Sequence, residues 1–216
     1  MYKGIIFDLD GTLLDTITTI AYYSNKILEK YGFEPIPTQE YNYLAGKGAR
    51  HLVKEMLRFR GCGNEEIFEK VFADYMSAYN SDPLFKTTVF DGINELIARA
   101  KSLGMKLAVL SNKPHSSTVM IIDHYFEKGT FDICYGARDG VPLKPDPTPA
   151  FAVAAELGVN CDECIYVGDT DVDMKTGKNA GFYTVGVLWG FRERPELEEN
   201  GADMIVSKPT DILNLL

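Results

Sequence analysis

Short apolar runs recur along the chain at residues 4–7, 105–110, 131–135, 164–167, 183–188 and 203–206. Each has the length of a buried strand. Between most of them, apolar residues return every three or four positions. Ile93, Leu96, Ile97, Ala100 and Leu103 form one such stripe, with Asp91 as a candidate N-cap and Gly104 as the stop. Residues 149–157 predict a second helix, closed by Gly158, and residues 172–180 a third, closed by Gly181. Strands alternating with helices predict an α/β fold, a parallel sheet covered on both faces by right-handed crossovers.

Residues 16–85 break this alternation. Ile17, Ile20, Ala21, Ile27, Leu28 and Tyr31 mark an amphipathic helix ended by Gly32, and residues 46–59 and 65–79 predict two more. About seventy residues pass without a convincing strand. The expected organisation is a Rossmann-like core of residues 1–15 and 86–216, with a small helical cap of residues 16–85 inserted after the first strand. An insert at that point lies above the carboxyl edge of the sheet, where ligands bind in open α/β folds, and can act as a lid.

Composition narrows the class. The 216 residues carry 31 acidic and 22 basic side chains, a formal net charge of −9. An acidic field repels phosphate backbones and argues against a nucleic-acid partner. It repels a phosphorylated small molecule as well, so a phosphate site needs local positive charge or a metal. No apolar run approaches the roughly 20 residues that span a bilayer, and the first residues enter a strand without a signal-peptide pattern. A cytoplasmic protein, monomeric or a small homo-oligomer, is expected. Of the four cysteines, Cys161 and Cys164 have redox or half-zinc spacing, but no second pair accompanies them. They read as incidental. The three histidines show no metal-ligand spacing.

Candidate chemistry gathers where apolar runs end. Asp8-Leu9-Asp10-Gly11-Thr12 follows the first run. Two acids one residue apart suit a hard cation, or a division into nucleophile and general acid. A plain strand-end turn would use the same residues. Ser111-Asn112-Lys113-Pro114 follows Leu107–Leu110 and offers a hydroxyl and backbone N–H groups at the start of a helix, a setting for an anion or an ordinary cap. Lys144-Pro145-Asp146-Pro147 presents a lysine on a stretch stiffened by two prolines. Gly168-Asp169-Thr170-Asp171-Val172-Asp173 crowds three acids at one strand end, more than helix capping needs, so a cation is the better account. Asp169 stands closest to the strand and is the candidate ligand. Asp173, one turn on, is placed to hold Lys144 or a metal-bound water.

With these four stations in order, the chain resembles the haloacid dehalogenase superfamily in its phosphatase branch, and residues 16–85 resemble that family's small helical cap. The resemblance implies phosphoester hydrolysis through an aspartyl-phosphate. It makes Asp8 the nucleophile and Asp10 the general acid and then base. Ser111 and Lys144 then bind phosphoryl oxygens, with Gly11, Thr12 and Asn112 beside them in the substrate site. Mg2+ is implied as cofactor, held by Asp8, Asp169 and the main-chain carbonyl of Asp10. The acid at Asp10 sets the chain apart from resembling dehalogenases and phosphonatases. The stretch 15–20 lacks the histidine usual in sugar phosphomutases.

Within the branch, Gly46-Lys47-Gly48-Ala49-Arg50 and the stretch 185–191 resemble phosphoglycolate phosphatases, so a small phosphorylated metabolite, 2-phosphoglycolate first, is the expected substrate. Lys47 and Arg50 are candidates to hold its carboxylate. A pyrophosphatase or nucleoside monophosphate phosphatase is the alternative within the family. A non-catalytic phospho-ligand sensor is the alternative outside it, although a pure binder has no use for a general acid.

Overall fold

The computed structural model describes residues 2–216. Strand β1 (Gly4–Phe7) is wholly buried and leads into a tight turn and the two-residue strand β2 (Leu14–Asp15). Four helices follow: α1 (Ile17–Lys30), α2 (Tyr41–Leu44), α3 (Ala49–Phe59) and α4 (Glu65–Ser81). The Asn64 side chain caps α4 by accepting from the N–H groups of Glu66 and Ile67. The chain returns through β3 (Thr88–Val89), which pairs antiparallel with β2.

From there strands and helices alternate: α5 (Ile93–Ser102), β4 (Lys106–Pro114), α6 (His115–Tyr125), β5 (Ile133–Ala137), α7 (Thr148–Leu157) and β6 (Cys164–Gly168). The last elements are α8 (Asp171–Ala180), β7 (Tyr183–Val187), α9 (Arg194–Glu199) and β8 (Met204–Val206).

The six long strands form one parallel sheet in the order β5-β4-β1-β6-β7-β8. Alternate side chains serve its two faces. Ile5, Phe7, Leu107 and Val109 pack under α5 and α6. Ile6, Ala108, Leu110 and Tyr166 pack under α7. The helices between β2 and β3 bury a separate apolar cluster, built on Ile20, Leu28, Tyr41, Val53, Met56 and Val71. One residue from beyond β7, Phe191, joins it.

Three elements differ from the sequence expectation. Gly92, at φ +88°, caps α5 in place of Asp91, because the left-handed turn before Ile93 is open to glycine. Strand β4 runs through Pro114 instead of ending at Leu110. Its register against β5 jumps from Leu110–Tyr135 to Pro114–Ala137, so Ser111, Asn112 and Lys113 occupy an irregular strand end, and α6 opens directly after them with Pro114 as its N-cap. The β2–β3 ribbon is too short to show as a pattern in the sequence.

The candidate active site

Register brings the stations together. Phe7 is level with Val109 on one side and Val167 on the other, so the residues after these three strands emerge at one edge. The strand order also reverses about β1 at this edge, the usual crevice for ligands in such sheets.

Lys144 is the hub. Its ammonium donates to Asp8 at 2.7 Å, to Asp173 at 2.8 Å and to the Tyr166 hydroxyl at 3.1 Å. Its side chain is 2% exposed. The main chain of Lys144 is fixed by Asn112, whose Oδ1 accepts from the Lys144 N–H and whose Nδ2 donates to the Lys144 carbonyl. The same Nδ2 donates to the carbonyl of Gly46 in the insert.

Asp169 lies fully buried opposite. It accepts from the Thr12 hydroxyl at 2.9 Å and from the Phe191 N–H at 2.8 Å. Asp173 closes a capping box with Thr170 at the start of α8. Gly11, at φ +84°, passes so close to Asp169 that a Cβ there would stand 2.2 Å from a carboxylate oxygen. Gly190 is held as tightly, with Asp169 and the Gly11 carbonyl both within 2.5 Å of a would-be Cβ.

The electrostatics follow from burial. Removal from water raises the Asp8 carboxyl to about 7, with Lys144 pulling it back and Asp173 adding to the rise. Asp169 is pushed well above the ordinary carboxylate range, first by burial and then by the charges of Asp173 and Asp8. Burial would lower Lys144, but Asp173 and Asp8 outweigh it and hold the ammonium protonated. Three buried acids therefore share one buried cation. Oxygens of Asp8, Asp169 and Asp173 all lie within 4.8 Å of one another. That excess of negative charge on hard oxygen donors fits a divalent cation of the Mg2+ type.

A small cavity of about 60 Å³ opens between core and insert, bounded on the core side by Asp8, Asp10, Ser111 and Lys113. Its opposite wall is largely apolar, from Ile20, Ala45, Leu52, Tyr75, Met76 and Tyr79. Lys47 and Arg50 are not among the residues lining it. Lys47 faces Asp171 at 3.7 Å on the rim. Arg50 pairs with Glu69 on α4 and stacks between Phe68 and Phe72, at 4.8 and 4.7 Å from their ring centres. Arg50 is paired within the insert, and Lys47 faces an acid of α8 in the core. Cys161 and Cys164 are free thiols away from the acids; burial pushes the Cys164 thiol up to about 12 and leaves it unreactive.

Two features escape the sequence reading. Lys113 reaches both carboxylate oxygens of Asp10 at 2.9 Å and lies over the Tyr79 ring at 4.7 Å. The segment 189–192 crosses the site. Trp189 donates to the Thr12 carbonyl, Phe191 to Asp169, and Arg192 to the carbonyl of Ala45 in the insert. In the sequence, 185–191 stands out only as a family resemblance and not as part of the site; the segment follows the end of β7.

A haloacid dehalogenase-like hydrolase sequence profile matches residues 5–187, most of the chain and all four stations. The chain belongs to the haloacid dehalogenase-like hydrolase family. A phosphoglycolate phosphatase of Aquifex aeolicus is 32% identical over 99% of this chain and 96% of its own length. One from Rhodobacter capsulatus is 31% identical over 90% and 88%. A crystal structure from Lactobacillus delbrueckii subsp. bulgaricus, described as a candidate phosphoglycolate phosphatase, superposes with a TM-score of 0.94 at 29% identity, covering 99% and 98% of the two chains. The chain is thus an enzyme, and its relatives place it among the phosphatases of the haloacid dehalogenase-like family. Among its described residues, no helix is long and apolar enough to cross a membrane.

Proposed function

We propose that the enzyme hydrolyses 2-phosphoglycolate through an aspartyl-phosphate on Asp8. The observation that carries this reading is the placement of Asp8. It is buried, held by Lys144 at 2.7 Å, and faces the same small cavity as Asp10 and Ser111. The similarity to phosphoglycolate phosphatases over nearly the full chain supports the substrate.

The chemistry divides among the chain's own residues. An Asp8 oxygen attacks phosphorus as the ester oxygen departs, and Asp10 delivers a proton to that oxygen. Asp10 then takes a proton from the water that attacks the phosphoenzyme, releasing phosphate and restoring Asp8. Ser111 and Lys144 hold phosphoryl oxygens throughout, and the insert above them excludes bulk water. Mg2+ held by Asp8, Asp169 and the carbonyl oxygen of Asp10 would supply positive charge against the repulsion between carboxylate and phosphoryl group.

Phosphate release from a panel of 2-phosphoglycolate, pyrophosphate, a nucleoside monophosphate and a sugar 6-phosphate tests the reading. The highest kcat/KM is expected on 2-phosphoglycolate, and a higher value on another member would reject that substrate. EDTA should abolish release and added Mg2+ restore it; undiminished rates in EDTA would remove the metal from the scheme. Asp10→Asn keeps the shape but cannot carry the proton. It should lose about 10²–10⁴-fold in kcat, the usual worth of general acid–base catalysis.

A further inference from the structure

We infer that Lys113 is the specificity-determining residue for the substrate's carboxylate, bridging it to the carboxylate of Asp10. The inference rests on the phosphoglycolate reading and moves recognition of the acid group from the insert to the core.

Connectivity carries the argument. Asp10 must reach the ester oxygen of the substrate to protonate it. In phosphoglycolate a single methylene separates that oxygen from the carboxylate. Whatever grips Asp10 therefore stands beside the second anionic group of the substrate. Lys113 grips Asp10, with 2.9 Å to each oxygen. An ammonium has three N–H donors, so the contact with Asp10 leaves capacity for another acceptor. Tyr79 lies against the ammonium as an aromatic face at 4.7 Å and competes only weakly for that capacity.

The surroundings point the same way. Of the side chains lining the cavity, Lys113 is the one cation among the described residues. Lys144 is occupied at the phosphate end by Asp8 and Asp173. Arg50 is turned away onto Glu69, and Lys47 onto Asp171. Lys113 itself is buried, its side chain 6% exposed, so a charge-assisted bond to it is little screened by water. The facing wall, with Ile20, Leu52 and Met76, offers a carboxylate no competing cation.

The test compares 2-phosphoglycolate with 2-hydroxyethyl phosphate, which replaces the carboxylate by a neutral alcohol. The readout is the ratio of their kcat/KM values in Mg2+, in the wild-type enzyme and in Lys113→Met. Using a ratio cancels any loss that comes from a displaced Asp10. The wild-type enzyme should prefer phosphoglycolate, and Lys113→Met should shrink that preference by about 10- to 150-fold, the worth of one hydrogen bond to a charged group. Lys113→Gln, of similar reach and neutral, carries the same test if the methionine variant does not fold. A preference that survives in the variant, with both substrates slowed alike, overturns the inference and leaves the phosphoglycolate reading standing. A wild-type enzyme without the preference overturns both.

Discussion

Asp8→Asn is expected to abolish turnover, by more than about 10⁴-fold, because the amide fills the same space but cannot form the phosphoenzyme. The same variant should melt higher than the wild-type protein when both are metal-free at alkaline pH. Burial raises the Asp8 carboxyl to about 7 from an ordinary 3.8. A carboxyl raised in this sense binds its proton more tightly folded than unfolded. Its charged form then costs stability, in full above pH 7 and not at all below 3.8. The neutral amide removes that cost, so the gain should be clear at pH 8 and fade as the pH falls toward 4. Melting curves in EDTA across that range, beside kcat in Mg2+, measure both halves. Residual turnover within tenfold of wild type would sink the nucleophile assignment. A variant that melts lower at pH 8 would mean that the hydrogen bond to Lys144 outweighs the buried charge.

Lys144→Ala should do the opposite to stability and be nearly as damaging to activity. It strips the one cation from a buried cluster of Asp8, Asp169 and Asp173. Breaking a buried ion pair from one side costs roughly 3–5 kcal/mol. For a chain of this size that lowers Tm by roughly 6–20 °C. In catalysis the loss of a donor on the phosphoryl oxygens should take about 10²–10³-fold from kcat. Thermal melting without metal isolates the first effect, and added Mg2+ should recover part of the lost Tm by replacing the missing positive charge. If Tm and kcat both stay near wild type, Lys144 is a spectator and the electrostatic account of the site fails.

The sheet and the acids of its edge were legible because the signal is local. An apolar run of four or five residues followed by Asp, as at Phe7-Asp8 or Gly168-Asp169, places a carboxylate at a strand end before any tertiary contact is known. The six runs correspond to the six strands of the sheet. Lys113 was not legible, because its meaning depends on an irregular extension of β4 that aims it back at Asp10, 103 positions away. Sequence spacing puts a helix start at Ser111-Asn112-Lys113-Pro114, and α6 does begin behind Pro114, but spacing says nothing of where the Lys113 side chain reaches. Arg50 shows the converse. Beside two glycines it reads as an anion site, but Glu69 and two phenylalanines one helix away claim it. Which acid an exposed arginine meets is decided by helix packing, and helix packing leaves no short-range mark. The crossing segment 189–192 was hidden for a third reason. Its glycine is required by the close approach of Asp169 and Gly11, which lie far from it in the chain.

The ribbon of β2 and β3, two residues on each side, joins two bodies that bury their apolar residues separately. Substitutions on the inner wall of the insert, at Leu52 or Met76 for instance, are absorbed within a cluster that the sheet does not share. Their apolar contacts lie in a different cluster from the one beneath Asp8. A lineage with this architecture can therefore reshape the insert's wall of the cavity while the bond-breaking apparatus drifts little. Pocket shape and reactivity become traits that evolve at different rates within a single gene, while the choice of an acid substrate stays tied to the core through Lys113 and Asp10.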